Sequence, residues 1–325
     1  MLINRFAGAL YSSLVFAACA SFFLLPGCGQ RYTALEPGRD HEPRIMGATY
    51  MTRNNPFFEV VHEGISSVVE GNGDILISRD PSQNQEKQNE QIQEMIDEGI
   101  EVLFLNPVDW KTVTPALEAC REAGVVVINV DTAVKEQEYV VTLIETDNYQ
   151  AGVLCAEDMM RRVEKARIVI LDNPIQMSIT QRVQGFLDTI EGHDGYEVVY
   201  QKKSDGEFEV GAANMTEFLG MDIDFDVVLG GNDPDALGAF SALQQAGYEK
   251  DVLIYGIDGS PDFKAMILEG EVTGSSAQSP GTLGRTAAET AYQYLNGEEI
   301  EPYISIAPFM INIDNIGEYN VNDWE

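Results

Sequence analysis

Residues 53–58 read Arg53-Asn54-Asn55-Pro56-Phe57-Phe58, and the reading of this stretch decides the fold. A strand-like run over 45–52 leads into it, and a helical pattern over 57–69 leads out. Asn55 stands where a helix N-cap belongs, and Pro56 stands at the first helical position, where a missing N–H costs nothing. A helix therefore starts at the carboxyl end of the first strand, which in an open α/β sheet is the edge where ligands bind. Neighbours on a first turn do not share a face, so at least one phenylalanine ring is expected at that edge. Periodicity alone also accommodates both rings in the core.

The same alternation continues to the end of the chain. Strands are expected at 74–78, 101–105, 125–130 and 140–144, with helices at 83–97 and 112–123 between them. Near Asp147 the cycle restarts, with helices at 149–163, 179–190, 210–219, 234–246, 262–268 and 283–295. Strands at 167–171, 197–201, 226–230, 252–257 and 271–275 separate these. Short β-branched runs bounded by Gly, Asn and Asp, alternating with helices, mean parallel sheets. The strands exceed one comfortable sheet, so the fold class is α/β with two doubly wound domains.

The residues that follow the strands share a chemistry. Asn106-Pro107, Asp131-Thr132, Gly231-Asn232-Asp233 and Asp258-Gly259 each lie just past an apolar run. Asn and Asp are common in turns because they satisfy backbone groups, which accounts for any one of them. Their agreement at four edges in two halves points further. Asn donates and accepts, and Asp accepts twice. That inventory suits a neutral polyhydroxyl ligand, whose apolar C–H face could stack on Phe57 and Phe58.

Composition bounds the alternatives. The chain has 325 residues, with 20 Lys and Arg against 53 Asp and Glu, a formal charge of −33. So acidic a surface repels nucleic acid and anionic lipid, so no nucleic-acid partner is expected. Arg5 precedes an almost unbroken apolar run over 6–25, and Pro26-Gly27-Cys28 follows. This is the pattern of an export signal. Its Leu25-Pro26-Gly27-Cys28 ending resembles a bacterial lipobox with Cys28 as the lipidated residue, although Pro26 departs from the usual pattern. An uncleaved apolar anchor and another processing site are the alternatives. Residues 29–43 read as a tether. Cys120 and Cys155 sit in apolar helical patterns and are expected as free buried thiols.

Catalysis finds little support. The three histidines, His41, His62 and His193, lack metal-ligand spacing, and solvent-facing side chains are expected of them. No nucleophile elbow, P-loop or strand-following G-x-G-x-x-G is present. Asp131 and Asp258 are the one pair available for acid–base work on a glycosidic bond, and nothing around them in sequence raises either pKa. Asp222, Asp224 and Asp226 lack the glycine and closing Glu of a calcium loop. No enzyme, cofactor or metal is expected.

The ordered set of motifs resembles the periplasmic sugar-binding proteins of the ribose and galactose type, which serve ABC importers. The matching pieces are Asn54-Asn55-Pro56-Phe57-Phe58, Leu105-Asn106-Pro107, Val130-Asp131, Gln181-Arg182 with Gly185-Phe186, Gly231-Asn232-Asp233 with Ala236-Leu237-Gly238-Ala239, Gly256-Ile257-Asp258-Gly259, and Ala277-Gln278. The resemblance runs from Arg44 to about Ile313. It implies a sugar cleft lined by Asn55, Phe57, Phe58, Asn106, Asp131, Arg182, Asn232, Asp258 and Gln278, with Phe208 placed on a weaker alignment. It also implies a discontinuous division. The amino-terminal lobe takes 44–146 plus 279–304, the carboxyl-terminal lobe takes 147–278 plus 305–325, and three hinge crossings fall near 146–147, 278–279 and 304–306.

In the ribose receptors of this family an arginine follows the aspartate that matches Asp131. Here Thr132 stands in that place, shorter and uncharged, so the expected ligand is a monosaccharide or polyol other than ribose alone. The implied protein is exported, monomeric and membrane-tethered, and hands its sugar to an ABC permease. A sensor of sugars or autoinducers that feeds a membrane kinase or chemoreceptor would carry the same site. A repressor of the lactose type would need a DNA-binding helix-turn-helix where the export segment stands.

Overall fold

The computed structural model describes residues 42–325. The export segment with Cys28, almost all of the tether, and His41 lie outside the described residues. From Ile45 the chain alternates as the sequence pattern requires: β1 (Ile45–Thr49), α1 (Pro56–Gly71), β2 (Ile75–Arg79), α2 (Gln85–Asp97), β3 (Val102–Leu105), α3 (Thr114–Ala123), β4 (Val126–Val130) and β5 (Thr142–Thr146). The second round is α4 (Asn148–Arg162), β6 (Ala166–Asp172), α5 (Met177–Ile190), β7 (Tyr196–Lys203), α6 (Phe208–Leu219), β8 (Val227–Gly230), α7 (Asp233–Ala246), β9 (Leu253–Asp258), α8 (Pro261–Glu269) and β10 (Gly274–Ala277). Then follow α9 (Pro280–Leu295), β11 (Tyr303–Ile306) and β12 (Phe309–Asn312).

Two six-stranded sheets result. The first runs β11-β5-β4-β3-β1-β2, with every pair parallel. The second runs β12-β10-β9-β8-β6-β7, parallel except where β12 meets β10. Alternate residues of the central strands face opposite helical layers, so β3, β4, β6 and β8 are largely apolar on both faces. In β3, Val102 and Phe104 join the core under α1 and α9, while Leu103 and Leu105 join the core under α2 and α3. In β6, Val169 and Leu171 face α6, α7 and α8, and Ile168 and Ile170 face α4 and α5. We call each sheet with its helices a lobe.

Three differences from the sequence reading matter for the ligand edge. β5 begins and ends two residues later than expected, after a 3-10 turn at Gln137–Tyr139, and this carries Glu145 and Thr146 to the strand end. β10 starts at Gly274 instead of 271, which sets Gln278 at the carboxyl edge, where its N–H donates to the Asp258 carbonyl. The third passage between sheets was expected at 304–306. Instead Ser305 and Ile306 stay on the first sheet, opposite Glu145 and Thr146, and the chain passes over between Ile306 and Phe309. Free thiols Cys120 and Cys155 are both buried. His62 corrects another expectation: it is half-buried and its Nδ1 lies 3.2 Å from the Tyr50 hydroxyl, whereas His193 is exposed.

Candidate functional site

Carboxyl edges of both sheets open onto one cavity of about 510 Å³. This is within the roughly 300–1,000 Å³ of small-molecule sites. On the first lobe, Asn55 caps α1 through its Oδ1, which accepts the Phe57 N–H at 3.0 Å. The cap fixes where the next two rings go. Phe57 and Phe58 lie edge to face, with centroids 5.3 Å apart, and Phe58 stacks on Tyr50. Both rings are buried in the first core, and both line the cavity. Core and ligand edge are thus the same surface here, and the choice left open by periodicity does not arise.

Asp131 follows β4 with a left-handed backbone, φ 67°. Such a conformation at a non-glycine residue costs free energy and marks a position the surroundings over-determine. Its Oδ2 accepts from Asn106 Nδ2 at 2.9 Å and from Thr132 Oγ1 at 3.0 Å. Asn106 also accepts the Met51 N–H at 3.0 Å. Asn106 and Thr132 are therefore behind Asp131, and neither is on the cavity wall.

On the second lobe, Arg182 is held from α5, almost fully buried. Its Nε donates to Asn148 Oδ1 at 2.8 Å, its Nη1 donates to the Gly231 carbonyl at 3.0 Å, and Nη1 lies 3.7 Å from Asp258 Oδ1. Asp258, at the end of β9 with φ 154°, accepts from Gln278 Nε2 at 2.7 Å. Gln278 Oε1 is buried without a hydrogen-bond partner. Asn232 caps α7 with its Oδ1 and donates Nδ2 to the Gly206 carbonyl at 3.0 Å. Phe208 opens α6 at the rim of the cavity, 42% exposed.

Of the residues anticipated from sequence, Asn55, Phe57, Phe58, Asp131, Arg182, Phe208, Asn232, Asp258 and Gln278 meet on this one wall. Gln83, Gln176, Ser178, Glu207 and Trp324 also line it, and sequence reasoning missed them. Ordinary loop residues carry no pattern, and Trp324 lies beyond the last expected element. Contacts between lobes lie around the cavity. Thr132 Oγ1 is 2.7 Å from Ser178 Oγ, Gln83 Nε2 donates to Glu207 Oε1 at 2.6 Å, and Trp110 N–H donates to the Ile175 carbonyl.

Burial raises the pKa of Asp131, opposed first by Arg182 and then by the hydrogen bonds from Thr132 and Asn106. Asp258 is raised by burial too, with Arg182 opposing and Asp233 adding. Among the described residues Arg182 is the one basic side chain on the wall. The cavity thus presents acceptors (two buried carboxyls and a bare amide oxygen) beside one fixed fork of donors and several rings. Such an arrangement can orient hydroxyl groups and cover an apolar face. Among the described residues no cluster of three or more His, Cys, Asp or Glu is disposed to hold a metal ion.

Comparison with known proteins agrees with this geometry. Residues 47–299 match the model of the periplasmic binding protein domain. The chain is 30% identical over 295 residues to the ribose import binding protein RbsB of Bacillus subtilis, covering 88% of this chain and 93% of that one. It is 30% identical over 252 residues to the RbsB of Escherichia coli, with 77% and 84% covered. Among solved structures, the Caulobacter myo-inositol binding protein bound to myo-inositol superposes with a TM-score of 0.79 at 25% identity, over 85% of this chain and 97% of that one. The chain belongs to the periplasmic binding protein family, and its two parallel-dominated α/β domains are the type I form of that fold.

Proposed function

We propose that the chain is the exported substrate-binding protein of a sugar ABC importer, and that it closes around a neutral monosaccharide or small polyol. The observation that carries this is the convergence of Asp131, Arg182, Asp258, Gln278 and the phenylalanines, drawn from both lobes, on one cavity. A hydroxyl is donor and acceptor at once, so a polyol satisfies the bare acceptors and the Arg182 fork together. A ligand that touches both lobes favours the state in which they meet. Names of the relatives support the class: ribose import for the bacterial receptors, myo-inositol for the Caulobacter protein. In this reading no bond is made or broken, and release to permease subunits completes the cycle. Cys28 serves as the lipid attachment, the mature protein is a monomer, and its lobes divide near 146–147, 278–279 and 306–309.

Two experiments test it. A thermal-shift screen against D-ribose, D-galactose, D-allose, D-xylose and myo-inositol should give at least one hit, since ligand at a hundred times Kd stabilises by about 2.7 kcal/mol. Asp131→Ala should then weaken that sugar about ten- to hundredfold, the worth of a hydrogen bond to a charged group, with the fold retained by circular dichroism. A panel without a single shift refutes the sugar reading. Cys28→Ser should release the protein from the membrane fraction. A variant still membrane-bound would identify an uncleaved anchor.

A further inference from the structure

We propose that Trp324 is part of the sugar-binding wall and sets the size of ligand it admits, carried there by a C-terminal strap; this rests on the reading of the cavity as a sugar site. After β12 the chain stays on the second lobe. Tyr319 stacks on Phe309 at 5.7 Å with an interplanar angle of 16°, and Val321 packs on the second core. Lys264, on α8, has its side chain fully buried. A buried ammonium is costly unless its donors are met. Here Nζ donates to the Asp323 carbonyl and, at 2.9 Å, to Glu325 Oε1. These bonds fall on both sides of residue 324 and fix the backbone there.

With its neighbours tied to the second lobe, the Trp324 side chain reaches the first. Its indole meets Phe57 edge to face, with centroids 5.9 Å apart and planes at 71°, and packs against the first core. It lines the same cavity as Phe57, Asp131 and Asp258. An indole presents a large flat apolar surface, suited to the C–H face of a sugar ring, and bounds the space beside Phe57. Because the strap belongs to one lobe and its aromatic partner to the other, this wall is complete only when the lobes meet. Trp324 therefore rewards closure as well as fit.

The test uses the full soluble chain and the probes D-ribose, D-galactose, D-allose and myo-inositol. For each probe that binds the parent, Trp324→Ala should weaken binding about tenfold or more, and Trp324→Phe should retain it within a few-fold. The chain has two tryptophans, so Trp110→Phe leaves Trp324 as sole reporter. In that background a bound probe should shift emission to the blue and reduce acrylamide quenching. Without any sugar, Lys264→Met added to it should shift emission to the red and raise quenching, because the strap loses its tether. Equal affinity of the parent and Trp324→Ala for a bound probe overturns the assignment while leaving the sugar reading intact. Unchanged emission in Lys264→Met overturns the strap. If no probe stabilises the parent, the sugar reading fails, and this proposal with it.

Discussion

Thr132 follows Asp131 directly and bridges the two lobes through its hydroxyl. The ribose receptors that the sequence resembles carry an arginine in its place. In the structure its hydroxyl is engaged by Asp131 and by Ser178 of the opposite lobe, and it is not on the wall. Thr132→Val, which keeps shape and removes the hydroxyl, is expected to weaken sugar binding by a few-fold through loss of the hydrogen bonds to Asp131 and Ser178, with the ranking of sugars unchanged. A changed ranking in calorimetry would place Thr132 against the sugar after all. Glu145 is a second case. It is buried at the end of β5, and burial, with Asp131 nearby, pushes its carboxyl up to about 8. The unfolded chain ionises near pH 4.3. Between those values the folded state holds a proton that the unfolded state has lost. Stability from this group is therefore full below about pH 4 and is lost as pH rises towards about 8. Ligand-free melting temperature should fall across that window, and Glu145→Gln should flatten the fall; parallel curves for parent and variant would show that the group ionises freely. Asp235, also raised to about 8 by burial, contributes a remainder in the same direction.

Elements place these groups, and the pairing of α4 with α5 is the most constrained. A Cβ on Gly152 would lie 1.8 Å from the Arg182 carbonyl oxygen, and one on Gly185 would lie 2.0 Å from the Tyr149 carbonyl oxygen. The two helices cross with their backbones in contact, and that contact sets the height of Arg182 above the sheet edge. Gly152→Ala should separate the helices, cost about 1–3 kcal/mol as other overpacked cores do, and weaken sugar binding by moving the guanidinium. An unchanged melting temperature and affinity would show that the crossing relaxes freely. Much of this level was legible beforehand. Alternating patterns gave the elements because both faces of the central strands are buried, and Asn55, Asp131, Asn232 and Asp258 could be placed because turn residues mark strand ends. Legibility failed where position depends on pairing instead of pattern. β10, made of Gly274, Ser275, Ser276 and Ala277, has little apolar signal, and its place is set by pairing with Tyr255, Gly256, Ile257 and Asp258 of β9. Asn106 could be placed at the edge, yet only packing shows it turned behind Asp131. Trp324 had no neighbouring pattern to mark it, since its position comes from Lys264, 60 residues earlier, and from Phe57 across the cavity.

At the scale of the whole molecule, two lobes meet across a cavity to which both contribute polar groups, the second lobe more of them. Contacts such as Gln83 with Glu207 and Thr132 with Ser178 bridge the lobes beside the Trp324–Phe57 ring contact. Interfaces of this kind between domains permit relative motion by default. A sugar bonded to Asp131 on one lobe and to Arg182, Asp258 and Gln278 on the other, as proposed above, would supply the differential affinity that closure requires. A charge of −33 leaves the cleft reading untouched, because a neutral ligand is neither drawn nor repelled by it. The most direct measurement of the central claim is titration calorimetry of the purified soluble chain with D-ribose, D-galactose, D-allose, D-xylose and myo-inositol. One of them should bind at a single site with Kd near micromolar or tighter, about −8 kcal/mol, and Asp131→Ala should weaken that binding about ten- to hundredfold. Absence of heat from every sugar at millimolar concentration, or equal binding by parent and Asp131→Ala, would contradict it.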